Sequence, residues 1–161
     1  MKTLSVLAAL AVLAFPLAAQ TKVFPDPAGD VKVRSLDVRK VDASVANGNV
    51  SIKIILATRT QDNAFYGAFV SCGKKLWQIA VKRAEGETFY ILFDAVATYQ
   101  HDLSGDPING RTVWLTAPAA RLGCTKGNFR FYVSTEDSAS GRTDDVPTQK
   151  RNAKGFTWLR L

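Results

Sequence analysis

Two short acidic stretches hold the residues best suited to chemistry. Asp26-Pro27-Ala28-Gly29-Asp30 puts two carboxylates on a bend, because Pro27 fixes its φ and Gly29 permits a tight reversal. A second acidic turn, Arg142-Thr143-Asp144-Asp145-Val146-Pro147, supplies two more late in the chain and could close over the same end. Ca²⁺ takes about six to eight oxygen ligands, so Asp26, Asp30, Asp144 and Asp145 are candidate cation ligands and Ca²⁺ the candidate cofactor. The spacing matches no complete calcium loop, and Asp, Pro and Gly are also ordinary turn formers.

Aromatic side chains offer a second kind of chemistry, since a sugar ring presents an apolar C–H face that stacks on an aromatic ring. Trp77, Trp114 and Trp158 are available, with Tyr66, Tyr90, Tyr99 and Tyr132. Val113 and Leu115 claim one face of their strand, which puts Trp114 on the other face beside Thr112 and Thr116. Trp114 and Tyr99 are therefore the candidate ligand contacts. Trp77 shares a face with Ile79 and Val81, and Trp158 with Phe156, so both are expected in the core.

Signs of catalysis are few. The chain has no G-x-S-x-G, no H-E-x-x-H and no phosphate-binding glycine loop. A Ser-His-Asp triad would have to use His101, the only histidine, with nothing nearby to nominate the serine. One His also cannot build a multi-His zinc site, and its turn-rich surroundings suit a surface residue. Asp26, Asp30, Asp94, Glu136, Asp137, Asp144 and Asp145 could furnish a pair of carboxylates for glycoside hydrolysis, but only their separations would decide it. No catalytic residue is assigned, and a small secreted hydrolase is kept as a remote alternative.

The elements that must position these residues read as short strands. Apolar side chains alternate over a few residues and are interrupted by Gly, Asn, Asp and Pro, the pattern of an antiparallel β protein. Asn47-Gly48 signals a tight hairpin between Val41–Val45 and the strand that carries Val50, Ile52, Ile54 and Leu56 on one face. Further strands are expected at 65–70, 75–83, 88–93, 111–116, 129–133 and 156–161. The stretch from Thr88 to Phe93 is apolar on both faces, as in a central strand. The acidic bend at Asp26 is placed before the first strand, and Pro118 to Leu122 as a helical turn ended by Gly123. About eight or nine strands in one domain point to an all-β antiparallel sandwich, with a closed barrel as the runner-up.

A D-P-x-G-D opening at Asp26, an L-D-x-x-x-V strand at Leu36-Asp37 and Val41, an N-G turn before V-x-I-x-I, and a late D-x-P loop occur in this order. In these motifs the chain resembles exported DOMON-like domains, family-nine carbohydrate-binding modules and sandwich domains appended to secreted glucan-degrading enzymes. The resemblance implies a jelly-roll-like sandwich that binds sugar or haem, sometimes with a structural Ca²⁺, and implies no catalysis. Haem ligation by Met and His is not available after leader removal, because Met1 is the only methionine and His101 the only histidine.

Residues 1–20 have the layout of a secretory signal: Lys2 as the positive start, an apolar run from Leu4 to Leu17, and small residues before Gln20. The run is shorter than a membrane span. A single domain over 21–161 is then expected outside the cytoplasm, in the periplasm or beyond, with no span after cleavage. Two cysteines in such a compartment suggest one disulfide, Cys72–Cys124, the alternative being two buried thiols that never meet. The 161-residue chain carries 21 Lys and Arg against 14 Asp and Glu, a net charge of +7. These cations are scattered, unlike the concentrated face of a nucleic-acid binder, so no nucleic-acid partner is expected. They suit weak attachment to an anionic envelope polymer. The leading expectation is a non-catalytic binding module for carbohydrate. The alternative is a structural or protein-interaction component of the cell envelope.

Overall fold

The computed structural model describes residues 19–94, 110–124, 128–147 and 157–161. In chain order the elements are β1 (Gln20–Pro25), β2 (Val38–Ala46), β3 (Asn49–Leu56), β4 (Ala64–Cys72), β5 (Lys75–Ala84), β6 (Glu87–Asp94), β7 (Thr112–Pro118), α1 (Ala119–Leu122), β8 (Arg130–Asp137), β9 (Arg142–Val146) and β10 (Leu159–Arg160). The first sheet runs β1-β2-β3-β7 and the second β10-β8-β4-β5-β6, with β9 also paired to β8. Every pairing is antiparallel. The two sheets pack face to face as an all-β sandwich.

Alternation decides which side chains enter the layer between the sheets. Val41, Ile52, Ile54 and Leu115 come from the first sheet, and Tyr66, Val70, Ile79, Leu92 and Phe131 from the second, all at 2% exposure or less. The Asn47-Gly48 hairpin forms as expected, with φ of 50° and 75°. Positive φ at both central residues marks the turn whose twist suits paired strands. Trp77 is buried in the core and Trp114 faces outward, both as their alternation predicts.

Four expectations are corrected. A strand, β1, precedes the acidic bend and pairs with β2 along its whole length. Arg142–Val146 is a strand on the edge of β8, not a turn. The doubly apolar β6 ends its sheet among the described residues, where a central place was expected. The reason is that the second sheet is apolar on its outer face too: Phe69 stacks on Tyr132 at 4.6 Å, and the Phe65 ring lies over Gly67, where a Cβ would come within 2.6 Å of it. Trp158 joins that outer layer, edge-on to Tyr132 at 5.4 Å, and is half-buried there instead of lying in the core.

The Cys72–Cys124 disulfide is formed and ties the end of β4 to the segment after α1, so it joins the two sheets at one end. No helix among the described residues is long and apolar enough to cross a membrane. With its cysteines 52 positions apart in the sequence, the bond contributes about 4 kcal/mol in the chain-entropy model. Reduction is expected to lower the guanidinium midpoint accordingly, and a thiol assay on the unreduced protein to find no reactive cysteine. An unchanged midpoint would contradict this account of the bond.

Candidate functional site

At the end of the sandwich away from the disulfide, four carboxylates come together from three parts of the chain. β1 stops at Pro25, and the Asp26 N–H donates to the Arg39 carbonyl at 3.2 Å as the chain leaves the sheet. Gly29 then turns the bend with φ of 76°, which a side chain would resist. Its N–H donates to Asp37 Oδ2 at 3.1 Å, fastening the bend to the start of β2. From the opposite sheet, β9 points Asp144 inward, where its Oδ2 accepts from the Val38 N–H at 2.7 Å. Nearby the Thr135 hydroxyl donates to the Leu36 carbonyl at 2.8 Å. These two bonds stitch the sheets together at this end.

One carboxylate oxygen each from Asp26, Asp30 and Asp144 lies within 4.8 Å of the others. Asp144 is 4% and Asp37 2% exposed. Asp26 Oδ2 and Asp37 Oδ1 are buried without a hydrogen-bond partner. Arg39 Nη1 is 3.8 Å from Asp37 Oδ2. Burial, then the charges of Asp30 and Asp37, pushes the Asp26 carboxyl up to about 6, against some relief from Arg39. Burial is also the main cause that raises Asp144 to about 7, partly offset by the Val38 N–H and reinforced by Asp30, Asp26 and Asp37. Asp30 is exposed and Asp26 half-buried, whereas Asp144 and Asp37 are buried. Carboxylates this close, two of them out of water, hold their charge at lower cost with a cation among them, and otherwise protons neutralise part of it. The oxygens suit a hard divalent ion such as Ca²⁺, with carbonyls or water completing its shell.

Of the four acids singled out in the sequence, Asp26, Asp30 and Asp144 are thus brought together. Asp145 is not: alternation along β9 turns it to the outer face of the second sheet, where its charge, after burial, helps push the Tyr132 phenol up to about 12. Asp37 was missed as a candidate ligand. Leu36-Asp37-Val38 follows the ordinary apolar–polar–apolar alternation of a strand, so the local pattern carries no signal that Asp37 is buried.

A second feature lies on the outer face of the first sheet. Trp114 is 40% exposed, and the Lys53 ammonium sits 4.8 Å from its ring centroid. Lys53 is its cross-strand neighbour, and Asp42 follows Lys53 in register on β2. The next rows carry Ser44, Ser51 and Thr116 on one side, and Lys40, Ile55 and Thr112 on the other. The Ser51 and Thr116 hydroxyls are 3.2 Å apart and hydrogen-bonded. Tyr99 and His101 lie outside the described residues. Comparison with protein-family models, curated proteins and solved structures gives no match to this chain.

The acidic end makes stability depend on pH with a definite sign. Asp144 and Asp26 have folded values of about 7 and about 6, above an ordinary 3.8. Between those values the folded chain binds more protons than the unfolded one, so stability falls as pH rises. Without divalent cations the melting temperature is expected to drop from pH 4 to pH 7, and millimolar Ca²⁺ to restore it at neutral pH. Asp144→Asn, which keeps an acceptor for Val38, should raise the cation-free melting temperature at pH 8 and remove the Ca²⁺ shift. A midpoint indifferent to Ca²⁺ in the unaltered protein would argue against a cation there.

Proposed function

We propose that the chain is an exported, non-catalytic binding module that takes carbohydrate on the outer face of its first sheet. The observation that carries the reading is Trp114, a large aromatic exposed on β7, the terminal strand of the first sheet among the described residues, beside polar neighbours on the sheet's outer face. Its ring offers a surface for the apolar side of a sugar, and the neighbouring Ser51, Thr116, Thr112 and Lys53 offer partners for sugar hydroxyls. An open sheet face receives one stretch of a polymer without closing over it. Ca²⁺ at Asp26, Asp30 and Asp144 has a supporting part: it neutralises the acidic end and fixes the bend, as structural cations do. The leader-like first twenty residues and the Cys72–Cys124 disulfide support a periplasmic or extracellular place.

A second reading, a cell-envelope component that holds other proteins, is favoured by Phe89 on β6 and Val23 on β1. They are 46% and 53% exposed on the outermost strands of the two described sheets, and exposed apolar residues on edge strands suit strand-to-strand association.

A glycan array with the purified protein tests the first reading. Trp114→Ala is expected to weaken glycan binding about tenfold, the scale of one aromatic stacking contact, without lowering the melting temperature. Failure of the intact protein to bind any glycan removes the reading, and salt-sensitive co-purification with envelope proteins in its place supports the second. The exported protein should have an intact mass that lacks residues 1–19 or 1–20, whereas a full-length precursor retained in the cytoplasm contradicts export.

A further inference from the structure

We infer that the sugar-binding face selects an acidic saccharide, whose carboxylate or sulfate docks in a hollow walled by Arg34, Arg39 and Arg111. The inference rests on the carbohydrate reading of the Trp114 face and adds the chemical class of the sugar. The hollow has a volume of about 290 Å³ and is lined by these three arginines with Ile55, Leu56 and Ala57. All three arginines are exposed. Arg39 reaches the buried Asp37, while Arg34 and Arg111 make no ion pair among the described residues. With Arg39 facing Asp37, the guanidinium groups of Arg34 and Arg111 are the two left to an anion, which would relieve their mutual repulsion. Arginine suits the task because its planar fork meets a carboxylate or sulfate with two parallel hydrogen bonds.

The fold explains why the cations gather here. β2 is irregular between the pairs Val38↔Leu56 and Lys40↔Ile55, leaving Arg39 as the extra residue. Such a bulge re-aims the side chain it carries. Arg111 is held at the mouth of β7 by its own carbonyl, which accepts from the Leu56 N–H at 2.9 Å.

Position relative to Trp114 links the hollow to the sugar face. Ile55 in the hollow wall pairs with Thr112, and Lys53 pairs with Trp114, so the two rows are adjacent. Thr112 and Trp114 are therefore on the order of 7 Å apart along the strand, the scale of a single sugar residue. A ring stacked on Trp114 would have its neighbour, or its own acidic substituent, at the arginines. The opposite direction along the face is neutral, with Ser44, Ser51 and Thr116. Asp42 lies inside the face, ion-paired to Lys40 at 3.2 Å. A cation group at one end fits one anionic group per site, not the continuous charge of a nucleic-acid backbone, which calls for a basic stripe. Another basic hollow, about 270 Å³ and lined by Ser71, Arg130 and Arg160 among others, is at the disulfide end. There Arg130 is already engaged, with Nε donating to Ser71 Oγ at 3.2 Å and its guanidinium on the Trp158 ring.

Calorimetric titration of the full-length mature protein with four polymers tests the inference: a polyuronate, the same polymer with its carboxylates reduced to alcohols, a sulfated neutral glycan, and single-stranded DNA. The polyuronate or the sulfated glycan should bind at least tenfold more tightly than the reduced polymer, and which of them does so identifies the anion. The Arg34→Ala/Arg111→Ala double variant should bring that preference close to one. Arg111→Lys alone, with its charge kept and its fork lost, should reduce it in part. Trp114→Ala should weaken acidic and neutral polymers alike. Equal binding of acidic and reduced polymers, or a preference that survives the double substitution, overturns the inference while leaving the carbohydrate reading standing. Binding of no glycan removes both. Tighter binding of DNA than of every glycan also overturns the inference.

Discussion

Asp144 is a carboxylate held almost out of water at the junction of two sheets, and its surroundings govern how that end of the molecule closes. Its bond from the Val38 N–H joins β9 to β2, so the edge of the second sheet is registered against the start of a central strand in the first. The same side chain faces Asp26 and Asp30 on the bend that follows β1. Removing the charge, or compensating it, is therefore a condition for the bend, β1 and β9 to sit together. A buried acid that is only partly satisfied by hydrogen bonds is costly. A cation offsets that cost by giving several oxygens one partner.

The two ends of the sandwich are thus closed by different means. At one end a covalent bond, Cys72–Cys124, links β4 to the chain beyond α1. At the other, a polar set does so: Asp144 to Val38, Thr135 to Leu36, and the Asp37–Gly29 bond that fastens the bend. The disulfide is insensitive to pH and divalent ions, whereas the acidic set responds to both. Between these ends lies a core of ordinary aliphatic and aromatic packing.

The outer faces of the two sheets differ in a way that matters for binding. The second sheet is covered by its own aromatic layer, in which Phe69, Tyr132 and Trp158 contact one another in sequence. These rings already spend their surface on neighbours. The first sheet is outwardly more polar, and Trp114 stands exposed on it with the Lys53 ammonium against its ring. An exposed aromatic in polar company is available to a partner in a way that a stacked one is not.

Strand alternation along the chain was sufficient to determine the all-β class, the Asn47-Gly48 hairpin, the inward Trp77 and the outward Trp114, because a period of two depends only on local backbone geometry. The two acidic stretches likewise nominated Asp26, Asp30, Asp144 and Asp145, of which the first three meet. Only the tertiary structure decided which acids meet. Asp144 and Asp145 are neighbours in sequence, yet the pleat sends them to opposite faces, and it is Asp37, a residue quoted only as part of a strand motif, that completes the acidic end. The position of β6 and the outer placing of Trp158 were also beyond the pattern, since an apolar face looks the same in sequence whether it meets the core or an outer aromatic layer. Arg39 and Arg111 were brought together by strand register and a bulge, and Arg34 joins them from the turn before β2. Register and bulge are properties of pairings between distant segments, and no local spacing records them.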